Sequence, residues 1–181
     1  VHGLCLPALG LATLPAKMTV TTIPELLPGD CLLYRPNSLF GHVIAVKTWT
    51  DISHVEVYIG GGESVGSRER LGVRKYPLRT GQLGFVLRPS LQPVDLEAGL
   101  RWFYSEALGQ KYDYLGLLVF THAVKKGARD RMFCSEFTTR FYRSANYPVF
   151  APHWDADRVS PSLFLCSPKL VMWWSDGKGL T

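Results

Sequence analysis

Cys134, in the segment Met132-Phe133-Cys134-Ser135-Glu136-Phe137, and His54, in Ser53-His54-Val55-Glu56-Val57-Tyr58-Ile59-Gly60, have the side chains for nucleophilic acyl chemistry. A thiol attacks an acyl carbon after a base takes or shares its proton, and donors must meet the oxyanion that forms. If residues 135–142 are helical, Phe137 and Phe141 share a buried face and the first-turn amides point toward the sulfur. A helix N-terminus favours a thiolate placed there. His54 begins an alternating run, so its ring can face a cleft while Val55, Val57 and Ile59 hold the strand's other face in a core. His2, His42, His122 and His153 have weaker settings, His153 being wedged between Pro152 and Trp154. A lone strand histidine is usually structural, and a lone cysteine is usually a small core residue. Their combination carries the reading.

A base also needs a group to orient it. Gly60-Gly61-Gly62 supplies the positive backbone angles of a tight hairpin, and an unbulged hairpin closed by Gly61-Gly62 sets Glu69 opposite His54 and Ser67 opposite Glu56. Glu69 is then a candidate acceptor for the imidazole N–H. A slip of one residue brings Arg68 or Ser67 there instead, Glu63 lies near the loop, and Glu56 shares the face of His54 on the same strand. Flanked by Arg68 and Arg70, Glu69 also reads as part of a surface ion cluster.

The elements that must position these groups are legible in outline. Pro28-Gly29-Asp30 marks a turn into a short strand at residues 31–34, and residues 41–50 read as a short helix. After the hairpin, residues 73–78 and 84–88 are strand candidates. Leu96, Leu100, Phe103, Tyr104 and Leu108 recur at helical spacing up to Gly109, and residues 114–125 read as a further helix or buried connection. Past Tyr147-Pro148 the chain is rich in Pro and Trp, with two apolar runs around Pro168.

At 181 residues with 46% hydrophobic and 19% charged side chains, the chain can build one core. We expect a single domain over residues 19–181, preceded by a flexible or pairing arm at 1–18. Residues 1–17 resemble a poor signal peptide, too short and too broken by Pro7 and Pro15 to span a bilayer, and Met18 is a candidate start. No transmembrane segment is expected, and the compartment is left open for a soluble protein: bacterial envelope, cytoplasm or phage-associated. The net charge of +5 is scattered, so a solvated basic face is expected rather than a nucleic-acid groove. Cys5, Cys31, Cys134 and Cys166 lack metal-ligand spacing, and Cys31 and Cys166 read as ordinary buried thiols. No metal or other cofactor is implied.

Four segments, Leu27-Pro28-Gly29-Asp30, Ser53 to Gly60, Lys111-Tyr112-Asp113 and Phe133-Cys134-Ser135-Glu136-Phe137, resemble in that order the circularly permuted NlpC-type papain-like enzymes, the YaeF/YiiX group. In non-permuted relatives the cysteine precedes the histidine, whereas here the histidine comes first. The resemblance spans about residues 26–143. It implies an α+β fold, a small antiparallel sheet packed against helices, and a cysteine amidase or peptidase with Cys134 as nucleophile and His54 as general base. Tyr112 matches a family tyrosine near the cleft, with substrate binding or oxyanion support as its implied role, and the amide of Cys134 or Ser135 is expected to hold the oxyanion. The implied partner is a peptide or cell-wall amide. Two other readings stay open: lipid-directed thioesterase or acyltransferase chemistry, and a non-catalytic module for ligand binding or assembly into a larger particle. Phe133-Cys134-Ser135-Glu136 replaces the Asn-Cys-Glu-His run of the lecithin-retinol acyltransferase branch, which lowers the first of these.

Overall fold

The structure, a computed structural model, describes residues 23, 25–114 and 130–179. The expected arm at 1–18 and most of the expected element at 114–125 lie outside the described residues. Six strands form one antiparallel sheet: β1 (Cys31–Tyr34), β2 (His54–Gly60), β3 (Glu63–Arg68), β4 (Gly72–Pro77), β5 (Leu83–Pro89) and, after the helices, β8 (Leu170–Ser175). Their spatial order is β4-β3-β2-β1-β5-β8. Two two-residue strands, β6 (Lys111–Tyr112) and β7 (Arg131–Met132), pair in parallel beside it.

The turn before β1 is a structural anchor. Gly29 adopts φ 96°, which favours glycine, and the buried Asp30 accepts the Leu27 N–H at 2.8 Å. Its two carboxylate oxygens also receive Arg88 Nε and Nη2 from β5 at 2.9 and 2.8 Å. From the other side, the Tyr142 hydroxyl donates to the Gly29 carbonyl at 2.8 Å. The Leu-Pro-Gly-Asp motif therefore ties two strands to a helix.

Helix α1 (Leu39–Thr48) starts two residues before the expected 41–50 because Ser38 caps it, its hydroxyl accepting the Gly41 N–H at 3.0 Å. Helix α2 (Leu96–Trp102) is capped by Asp95 and passes into a π-helical turn at Phe103–Ala107, so the helix expected over 96–108 changes winding midway. Helix α3 (Cys134–Ser144) buries Phe137 and Phe141 as its apolar spacing requires. Gly99 of α2 permits close approach, since a Cβ there would lie 2.8 Å from the Phe141 ring.

Helices α2 and α3 and the sheet residues Leu33, Val55, Val57, Val65 and Phe85 make the main core, while Ile44 of α1 packs with Tyr112 and Phe133 in a separate cluster. The opposite sheet face is covered as well. Leu32, Tyr34, Leu83 and Val86 form a second cluster there with Tyr58 and Trp174, where the sequence pattern placed only the Val55 face in a core. Cys31 is buried as expected, but Cys166 is exposed, because it ends a short 3-10 helix (Pro161–Cys166) at the surface. The outcome is the expected α+β class, an antiparallel sheet packed against helices.

Candidate active site

Three chain segments converge at the N-terminus of α3. Cys134 is the first helical residue, after Phe133 in extended conformation, and the helix has no side-chain cap. The first-turn amides of Cys134, Ser135 and Glu136 have no intrahelical acceptor, so they form a donor cluster at the sulfur. The approach to Cys134 is pinned by β3, where Ser67 Oγ donates to the Met132 carbonyl at 2.6 Å. Inside the helix, Ser135 Oγ donates to the Val159 carbonyl at 2.5 Å, so its hydroxyl is committed to structure and its amide alone faces the chemistry.

The His54 ring, at the start of β2, is a hydrogen-bonding neighbour of the Cys134 thiol. Its Nε2 lies 2.7 Å from Glu56 Oε1, which leaves Nδ1 for the sulfur. Burial disfavours the imidazolium, but the Cys134 sulfur and then the Glu56 carboxylate outweigh it and raise the His54 pKa above its ordinary value. Glu56 is completely buried and surrounded by donors. Besides His54 it accepts Ser64 Oγ at 2.5 Å and Arg68 Nε and Nη2 at 2.5 and 3.0 Å. Burial pushes its carboxyl up; the bonds from His54 and Arg68 prevail and hold it well below the usual carboxylate range. It is a permanent carboxylate at neutral pH.

Tyr112 arrives through the short parallel ladder, where it pairs with Met132, two residues before the cysteine. Its ring is buried and its hydroxyl is a neighbour of the Cys134 thiol. Burial, then the neighbouring Cys134 and Glu69, push this phenol well above its ordinary pKa. Cys134 itself has no exposed surface. The adjoining cavity, about 240 Å³, is walled by His54, Tyr112, Ser38, Glu69 and arginines from β3 and the β4–β5 connection.

Glu69 does not stand opposite His54. Gly60 pairs with Glu63 around Gly61-Gly62 as expected, but a bulge between Tyr58 and Gly60 then shifts the ladder, so Tyr58 pairs with Ser64 and Val57 with Val65. In that register His54 is level with Arg68 and Glu56 with Gly66. Glu69 falls past the end of β3, where it accepts Ser38 Oγ at 3.1 Å and lies 3.9 Å from Arg70 Nε. The carboxylate behind the imidazole is Glu56, two residues along the same strand. Gly66 provided a signal for this, since a Cβ there would lie 2.8 Å from Glu56 Cγ: a glycine facing a glutamate leaves room for a buried carboxylate.

No protein-family model matches the chain, and no curated protein matches it. Among solved structures, the metalloprotein yiiX from Escherichia coli O157:H7 aligns over 82% of this chain and 96% of its own, with a TM-score of 0.58 and 19% identity. A metal does not fit the residues here. Both Glu56 oxygens are held by Arg68, and among the described residues no group of three or more His, Cys, Asp or Glu side chains could hold a metal ion. At 19% identity the likeness is one of architecture, and this chain has the fold of the yiiX structure.

Proposed function

We propose that this protein is a papain-like cysteine hydrolase of the permuted NlpC type that cleaves an amide bond in a cell-wall peptide through an acyl-enzyme. The observation that carries the reading is the relay from a helix-end thiol to His54 and on to the buried Glu56, 2.7 Å behind the ring. His54 takes the Cys134 proton, and the sulfur attacks the carbonyl carbon. The amides of Cys134 and Ser135 receive the oxyanion, with the Tyr112 hydroxyl as a further donor. Protonated His54 then passes its proton to the leaving amine as the C–N bond breaks. Water, deprotonated by His54, hydrolyses the thioester and frees the thiol. Glu56 keeps the ring oriented and stabilises the imidazolium in both half-reactions.

Incubation with muropeptides is the direct test, reading acylation of the thiol by intact mass. Wild-type protein is expected to form and clear the adduct. Cys134→Ala is expected to fold but form none, and turnover retained in that variant would overturn the assignment.

One observation favours lipid-directed acyl chemistry as a second reading. Helix α1, whose Ser38 cap and Gly41 and Ile44 line the cavity, presents Leu39, Val46 and Trp49 outward at 86%, 74% and 91% exposure. Fatty-acyl esters that acylate the thiol faster than muropeptides do would select this reading. A thiol that neither substrate nor iodoacetamide modifies would leave the non-catalytic module.

A further inference from the structure

The wall of the cavity beside His54 holds a guanidinium whose buried Nε has no hydrogen-bond partner among the described residues. Two of the three arginines lining it are held by carboxylates through both Nε and Nη2. Arg68 gives Nε and Nη2 to Glu56 and Nη2 also to the Pro77 carbonyl at 3.2 Å. Arg35 gives Nε and Nη2 to Asp176 at 2.7 Å each, bonds the Gly179 carbonyl at 2.9 Å and pairs with Asp51.

Arg79, from the connection between β4 and β5, differs. Its Nη2 stands 3.5 Å from Glu56 Oε1, an oxygen that already accepts from His54 and Arg68. Its Nε is buried and has no hydrogen-bond partner among the described residues. The guanidinium carbon lies 4.7 Å from the Tyr34 ring centroid, and the Tyr34 hydroxyl, on a side chain only 1% exposed, has the crowded Glu56 carboxylate as its neighbour but makes no well-formed hydrogen bond among the described residues. Unsatisfied buried donors are costly and uncommon. Two of them side by side on a cavity wall, one cationic, make a receptor for an acceptor that enters from outside.

We propose that Arg79 and the Tyr34 hydroxyl form an oxyanion-binding subsite that takes a carboxylate or phosphate group of the ligand next to His54. The planar fork of Arg79 suits two acceptor oxygens at once, and stacking on Tyr34 holds that fork in place. Calling the ligand a substrate rests on the hydrolase reading; the anion site itself does not.

Calorimetric titration of the full chain with glutarate, inorganic phosphate and the uncharged glutaramide tests the subsite. Saturable binding of glutarate or phosphate, absent for glutaramide, is expected, and which anion binds identifies the group that the ligand carries. Arg79→Gln is expected to weaken that binding at least about tenfold, with Arg79→Lys falling between the two because it keeps the charge and loses the fork. In the wild-type protein the bound anion is expected to slow alkylation of Cys134, since it fills the space before His54. No saturable binding to the wild type, or equal binding by Arg79→Gln, would overturn the proposal. Anion binding by a protein whose Cys134 resists alkylation would sink the hydrolase reading and leave the subsite standing. A reactive thiol with no anion binding would do the opposite.

Discussion

Replacing Glu56 with Gln separates two roles that this side chain combines. As a structural group, Glu56 is the buried counter-charge of Arg68, which is itself only 13% exposed. Breaking a buried pair from one side costs about 3–5 kcal/mol, which in a chain of this size corresponds to a fall in Tm of roughly 6–20 °C. As a positioning group, Glu56 fixes the His54 ring through the 2.7 Å bond to Nε2 and helps to raise its pKa. Without the carboxylate, burial pulls His54 down and the ring is free to turn. Loss of an oriented base costs roughly 10²–10⁴ in turnover. The linkage has a definite sign. The raised His54 pKa stabilises the fold below the unfolded value of 6.5, and that contribution is lost as pH rises through the folded value. Glu56 works the other way: its depressed pKa stabilises the fold above 4.5 and is lost only in strong acid.

The assay that isolates the positioning role is the pH profile of Cys134 alkylation by iodoacetamide. In Glu56→Gln the limb on which His54 loses its proton is expected to move to lower pH. The double variant Glu56→Leu/Arg68→Met supplies the control, because exchanging both members of a buried pair for apolar groups is often neutral or stabilising. It is expected to recover most of the lost Tm while turnover stays low. Recovery of turnover along with Tm, or an unmoved pH limb in Glu56→Gln, would refute a positioning role and leave Glu56 as a partner of Arg68 alone.

Gly66→Ala, which drives a methyl group to 2.8 Å from Glu56 Cγ, is expected to cost about 1–3 kcal/mol in urea unfolding and to lower turnover by disturbing the carboxylate. Glu69→Gln breaks only the contacts to Ser38 and Arg70, so turnover is expected to stay within about threefold of wild type; a loss comparable to that of Glu56→Gln would restore Glu69 as the orienting group. Asp30→Asn removes the charge that holds Arg88 in two bonds and is expected to lower stability by about 3–5 kcal/mol, measured by thermal melting, with little change in the pH profile of the thiol. Glu136, whose carboxyl burial pushes up to about 6 against the pull of Arg140, destabilises the fold as pH rises from its unfolded value near 4.5 through 6. Glu136→Gln is therefore expected to raise the unfolding free energy at pH 7 more than at pH 4, by at most about 2 kcal/mol in urea unfolding.

Local spacing located the helix start at Cys134 and the strand start at His54, the candidate nucleophile and base. Phe137 and Phe141 mark the buried face of α3 and so locate its start, and the alternation after His54 defines β2. Both are short-range patterns. The orienting carboxylate depends instead on register, and one bulged residue at the end of β2 moves every side chain of β3 by one position relative to it. Glycine at three successive positions permits that bulge without announcing it. The burial of Glu56 was hidden for a related reason: alternation assigns the polar residues of a strand to solvent, whereas here Leu32, Tyr34 and Tyr58 carry a second apolar cluster on that face. The π-helical turn after α2 has no signature in the apolar spacing, which continues unbroken through Phe103, Tyr104 and Leu108.

The burial of Cys134 bears on how such a site works. A sulfur with no exposed surface, neighboured by His54 and Tyr112, reacts with oxidants and alkylating agents more slowly than an open thiol while staying within their reach. An acyl group must then reach it from the cavity that His54 and Tyr112 wall, and the Tyr112 ring is expected to act as a cover on that route. Shortening that cover separates access from chemistry. Tyr112→Ala is expected to speed alkylation of Cys134, while muropeptide turnover falls with the loss of the hydroxyl. Tyr112→Phe keeps the ring, so its alkylation rate is expected to match that of wild type. Faster alkylation in Tyr112→Phe would mean that the hydroxyl, through its bond to the thiol, is what restrains the sulfur; unchanged alkylation in both variants would mean that the route to Cys134 runs elsewhere.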